Sequence, residues 1–175
     1  MKERPIIFNT EMIKAILSGN KQMTRRVIKI PDGYTITPTG NPETYAVIKM
    51  GDGIDSSIPV DRLNNISCPY GQAGDSLWVR ETWQIHDLTY DCLFYKASEK
   101  KWRPSIFMPR WASRILLEIT EVRVERAQEI TLEDAIKEGF GDIREFNEEF
   151  LRLYPHLKDT NPWVFVISFK EKVVK

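Results

Sequence analysis

The chain lacks any apolar run near the roughly 18 residues that a membrane-crossing helix needs. Its start, MKERPIIF, follows its charges with only three apolar residues, too few for the core of a secretory signal. Cysteine and histidine are scarce: Cys68, Cys92, His86 and His156 are all isolated. No CxxC, HxH or HExxH spacing occurs, so a structural zinc site is not expected, and the cysteines read as reduced structural thiols rather than a bridge. GxGxxG, GxxxxGK[ST] and GxSxG are missing as well, which argues against a dinucleotide fold, a P-loop enzyme and an esterase. Nor is there an excess of one charge. The 25 Lys plus Arg balance 25 Asp plus Glu, unlike a basic nucleic-acid coat or an acidic tail. What remains is the expectation of a soluble, cytoplasmic protein with no membrane partner, no metal and no cofactor.

Against these absences stand 175 residues, 42% hydrophobic and 11% aromatic, enough for one domain with its own core. Ile6, Ile7 and Phe8 predict a strand, and Asn9 or Thr10 offers a helix cap. Met12, Ile13, Ile16 and Leu17 follow at helical spacing until Gly19 closes the helix in the left-handed region. Residues 31–74 and 84–110 are irregular excursions, the first dense in glycine and proline, with short strands expected near 45–50 and 92–96. Between them SLWVRETW, residues 76–83, predicts a strand after the turn at Gly74 and Asp75. Residues 111–126 predict a long strand or a bent strand pair. Ile115, Leu117 and Ile119 alternate there, and then Val122 and Val124 do so in a shifted phase. Thr131 opens a helix that runs to Gly139. Asp142 opens a second, with Ile143, Phe146, Phe150, Leu151 and Tyr154 at helical spacing until Pro155. WVFVISF, residues 163–169, predicts a buried closing strand. The expected class is α+β, mainly β: a small β-barrel with an N-terminal helix, two helices before the last strand and two irregular insertions, all within one domain.

Chemistry gathers first at GNKQMTRR, residues 19–26. Lys21 and Thr24 meet if the segment turns helically and diverge if it is extended. An alcohol beside an amine is a nucleophile–base pair once burial and the like charges of Arg25 and Arg26 lower the amine's proton affinity. A solvated basic turn is the plainer reading of the same spacing. Lys21, Arg25, Arg26 and Lys29 also form a local cationic patch suited to phosphates. Arg103, Arg110 and Arg114 lie among Trp102, Phe107 and Trp111, a mixture that suits single-stranded nucleic acid. The rival reading makes the tryptophans core and the arginines snorkelling. Glu138 sits at a helix end where the dipole opposes a carboxylate, and such locally unfavourable positions point towards function. Glu81 is a rival acid.

GNKQMTRR resembles the Gly-x-Lys-x-x-Thr-x-Arg signature of the ASCH domain, a member of the PUA-like β-barrel superfamily. The likeness continues at Ala73, Gly74 and Asp75, at ITLEDAIKEGF (residues 130–140), at EFNEEFLRLYP (145–155) and at the closing strand. CPYGQAGDSLWVRETW and WRPSIFMPRWASRI are similar to longer ASCH-containing proteins of phages and prophages. Small ASCH proteins include N4-acetylcytidine amidohydrolases that use a lysine, a threonine and a glutamate. The resemblance implies Thr24 as nucleophile, Lys21 as base and Glu138 as proton shuttle. As binding contacts we expect Arg25, Arg26, Lys29, Arg103, Arg110, Trp111 and Arg114, with RNA, single-stranded nucleic acid or a modified nucleoside as partner. A metal-independent ribonuclease and a non-catalytic single-stranded nucleic-acid-binding module are the alternatives that the family offers. The sequence departs from the small enzymes at Gln22, where they often carry a hydroxyl residue, and in its two long excursions.

Overall fold

The computed structural model describes residues 1–30, 32–38, 45–49, 64–65, 67–85, 93–95 and 102–172. His86 and Cys92 lie outside these residues, as do parts of both predicted insertions.

Strand β1 (Glu3–Ile7) leads into helix α1 (Thr10–Leu17). The helix starts where Asn9 Oδ1 accepts from the Met12 N–H at 2.8 Å, satisfying one of the donors a helix leaves free at its start. It ends at Gly19, whose φ of 77° is open to glycine. Ile13 and Ile16 face inward. Next come β2 (Met23–Val27), β3 (Tyr34–Pro38), β4 (Tyr45–Lys49) and the two-residue β5 (Asn64–Asn65). The segment read as one strand at 76–83 is β6 (Ser76–Arg80) and, after a break, β7 (Trp83–Ile85), which pairs with β8 (Leu93–Tyr95). The long strand β9 (Leu116–Arg126) is shorter than expected at its start, because Arg110–Ala112 form a 3-10 turn instead. Helices α2 (Leu132–Lys137) and α3 (Ile143–Leu153) are capped by Thr131 and Asp142, as their sequence signals predict, and β10 (Trp163–Glu171) follows.

Five strands form a mixed sheet in the order β1-β6-β9-β10-β2, with β3-β4-β5 and β7-β8 as separate small sheets. β1 and β6 are parallel and the other main-sheet pairs antiparallel. The shifted alternation in β9 has a structural cause. Glu121 pairs with Ser168 and Ile119 with Phe169, so Thr120 is an extra residue, a bulge. One inserted residue reverses which side chains face which side. Leu117 and Ile119 before it, and Val122 and Val124 after it, therefore all reach the same apolar cluster.

β10 is covered on both faces. Phe165, Ile167 and Phe169 join α1, β6 and β9 in the main core. Val164 and Val166 pack with Met23, Ala135, Phe146 and Phe150 beneath α2 and α3. Burial on two sides accounts for an unbroken apolar run where a one-sided strand would alternate. The edge strands β1 and β2 are joined by a side chain: Arg26 Nη2 donates to Ile7 O at 2.7 Å. Among the described residues no helix is long and apolar enough to cross a membrane.

Candidate active site

Residues 20–22 leave α1 extended and turn towards the end of α2. Lys21 N donates to Ala15 O at 2.9 Å and Gln22 N to Lys137 O at 2.7 Å, and Lys21 forms an isolated antiparallel bridge with Glu138. The helical turn that would bring Lys21 to Thr24 is therefore absent. The backbone at Gly139 makes this crossing possible. Its φ is 87°, and a Cβ there would lie 3.1 Å from Ala15 Cβ and 3.5 Å from Lys21 Cβ, so glycine alone fits without strain.

Glu138, the C-cap of α2, is 5% exposed. Lys21 Nζ donates to its backbone O at 2.8 Å and stands 3.5 Å from Oε2. Arg25 Nη1 donates to Oε1 at 2.8 Å. The carboxylate that the helix dipole disfavours is thus held by two buried cations. Arg25 Nη2 also donates to Asp134 at 2.6 Å and Glu125 at 3.1 Å. Arg123 donates to Asp134 at 2.7 Å and pairs with Glu125. Lys21, Arg25 and Arg123 consequently face Glu125, Asp134 and Glu138 in one cluster, with Glu121 3.4 Å from Arg123 at its exposed rim.

The Lys21 ammonium has no exposed surface and lies 5.9 and 5.8 Å from the ring centres of Phe8 and Phe140. Burial pulls its pKa down to about 8, against the attraction of Glu138 and with the repulsion of Arg26 and Arg25. An amine so placed exchanges its proton close to neutrality.

Beside this cluster lies a hollow open to solvent, whose enclosed space of about 20 Å³ has room for roughly one water. Thr24, Arg25, Arg26 and Glu138 line its floor. Phe140, Phe146, Phe150 and Tyr154 form its wall, a chain of rings with successive centres 5.8, 5.6 and 5.1 Å apart. Met12, Glu149 and Leu153 complete the lining.

Lys21 meets Glu138 directly, whereas Thr24 shares only the lining of the hollow with that glutamate. Among the described residues no hydrogen bond joins the Lys21 amine to the Thr24 hydroxyl, and the amine sits behind the hollow's lining. The side chain of Arg25 is 1% exposed and its Nη atoms are engaged by carboxylates. Arg26 is the more open arginine of the floor; its guanidinium stacks near Phe8 and Tyr70, and its Nε is buried without a hydrogen-bond partner.

Lys29, Arg103, Arg110, Trp111 and Arg114 do not line the hollow. Arg110 donates to Glu3 at 2.7 Å, Arg114 binds Glu81 through two bonds of 2.9 Å, and Arg103 lies over Trp83. Glu81, the rival acid, is thus occupied away from the site. Trp111 is 65% exposed, and Met108 and Ala112 of the same segment are buried with Trp83.

Sequence reasoning did not find Glu125, Asp134 or Glu149. The ring wall was visible only as an apolar helical stripe, a signal that core packing also produces. No protein-family model matches the chain, and no curated protein matches it.

Proposed function

We propose that this chain is an ASCH-type protein of PUA-like barrel fold that binds a modified nucleoside, free or within RNA, and hydrolyses the amide of N4-acetylcytidine. The observation that carries the reading is the meeting of the Lys21 amine, whose pKa lies at about 8, with Glu138 beside a hollow floored by Thr24 and walled by aromatic rings. Phe140 and Tyr154, the rings of the wall that keep exposed surface, suit stacking on a planar base. The barrel assignment draws support from the sheet edges, which Arg26 clasps through Ile7.

In this reading the Thr24 hydroxyl adds to the acetyl carbonyl carbon. Its proton passes to Glu138, which lines the same hollow, and on to the uncharged Lys21 amine behind it. Glu138, 3.5 Å from that amine, carries the proton on to N4 as the C–N bond breaks and cytidine leaves. Water then cleaves the threonyl ester, releasing acetate and restoring the hydroxyl. The unpartnered N–H of Arg26 is a donor suited to the oxygen that becomes negative in each addition.

The test is incubation with N4-acetylcytidine and chromatographic measurement of cytidine. Turnover should fall about 100-fold or more in Thr24→Ala and in Lys21→Met, the scale on which a lost nucleophile or base acts. It should also rise with pH through about 8, the value at which Lys21 loses its proton. No turnover by the wild type, or turnover indifferent to both substitutions, overturns the reading. Salt-sensitive binding of single-stranded RNA without product would assign a binding module instead.

A further inference from the structure

The hollow holds two carboxylates at different depths. Glu138 has a side chain 4% exposed and is engaged by Lys21 and Arg25. Glu149, on α3, is more open at 20%. Its Oε1 accepts from Asn9 Nδ2 at 3.0 Å and from Arg152 Nη2 at 2.7 Å, and its Oε2 accepts from Arg152 Nε at 2.6 Å. Those donors fix the orientation of the carboxylate. Arg152 first, and Asn9 with it, also hold it below the usual carboxylate pKa range. An ionised carboxylate only accepts, at about four lone-pair positions, so Oε2 retains room for a donor from a bound molecule.

We propose that Glu149 accepts a hydrogen bond from the 2′-hydroxyl of the bound nucleoside and makes the site selective for ribose over deoxyribose. This rests on the N4-acetylcytidine reading of the same hollow. In cytosine the exocyclic N4 and the sugar-bearing N1 lie on opposite sides of the six-membered ring. With the acylated nitrogen at Thr24 and Glu138, the sugar points away from the buried floor. Glu149 is the acceptor on that more open side. A carboxylate on a ribose hydroxyl recurs in nucleotide sites, and the 2′-hydroxyl is the group that separates RNA from DNA.

The experiment compares kcat/KM for N4-acetylcytidine and N4-acetyl-2′-deoxycytidine in the wild type, Glu149→Gln and Glu149→Ala. The wild type should prefer the riboside by about tenfold to a hundredfold, the scale of one hydrogen bond to a charged group. Both variants should bring the ratio close to one. A merely structural role in tying Asn9 to α3 would lower both rates together and leave the ratio unchanged, and the ratio does not depend on how much variant is folded. An unchanged ratio in the variants, or a wild type that deacetylates both compounds equally, overturns this inference and leaves the proposed activity intact. Failure of the wild type to process either compound overturns the proposed activity and this inference with it.

Discussion

Residues 19–26 and residues 102–114 begin with the same ingredients, cations beside aromatic rings, and the fold treats them differently. In the first region Lys21 and Arg25 are sunk below the surface, and their counter-charges arrive from β9 and α2. In the second, Arg110 and Arg114 keep about 40% of their side-chain surface, at 42% and 39%, while pairing with Glu3 and Glu81. Charges removed from water interact strongly and depend on their partners, whereas exposed pairs are screened and weak. Composition alone does not separate the two regions. The depth at which each arginine meets its carboxylate does.

The sharpest way to break that contrast is to remove one carboxylate from each region. Glu138→Ala should destabilise the fold by about 3–5 kcal/mol in urea unfolding, because Lys21 loses its carboxylate and Arg25 one of three. Glu3→Ala, which removes the exposed partner of Arg110, should cost about 1 kcal/mol or less, since Arg110 turns to water. Equal losses would remove the distinction between the regions.

A smaller effect is expected from Lys21→Met. Replacing Lys21 by an apolar chain of similar length leaves Glu138 paired with Arg25 but its backbone O without the Lys21 donor, so stability at pH 7 should fall by about 1–3 kcal/mol. The pH dependence sharpens this expectation. The folded pKa of Lys21, about 8, lies below its ordinary 10.5, so between those values the unfolded chain binds more protons than the folded one, and stability rises with pH. The wild type should therefore gain on Lys21→Met from about pH 8 to about pH 10.5. A constant difference over that window would show that the amine is not held against its charge.

The smallest effect belongs to Trp111→Ala. The ring is 65% exposed and meets Trp83 by its edge, with centres 5.9 Å apart. The change should stay within about 0.5 kcal/mol, with the proposed deacetylation of the free nucleoside unaltered. A fall in that activity would place the 102–114 segment at the site after all.

Much of this architecture is legible locally. Asn9, Thr131 and Asp142 cap the helices their sequence neighbourhoods announce, because a cap needs only its own next three residues. The phase change in β9 was readable as two alternations, yet its meaning needed the partner strand, since a bulge exists only relative to its neighbour. Glu138 stood out through its conflict with the helix dipole. Asp134 gave no such sign, because an acid in a first helical turn is favourable by itself, and only the tertiary fold sets it against Arg25 and Arg123.

Helices, turns and apolar strands are set locally, since they depend on spacing over a few residues. Tertiary structure alone decided which acid meets which base. Lys21 and Glu138 stand 117 positions apart, and their contact requires the order β9-β10-β2, which places the end of α2 over the start of β2. Electrostatic pairing depends on distance and burial in space, and no local pattern encodes either.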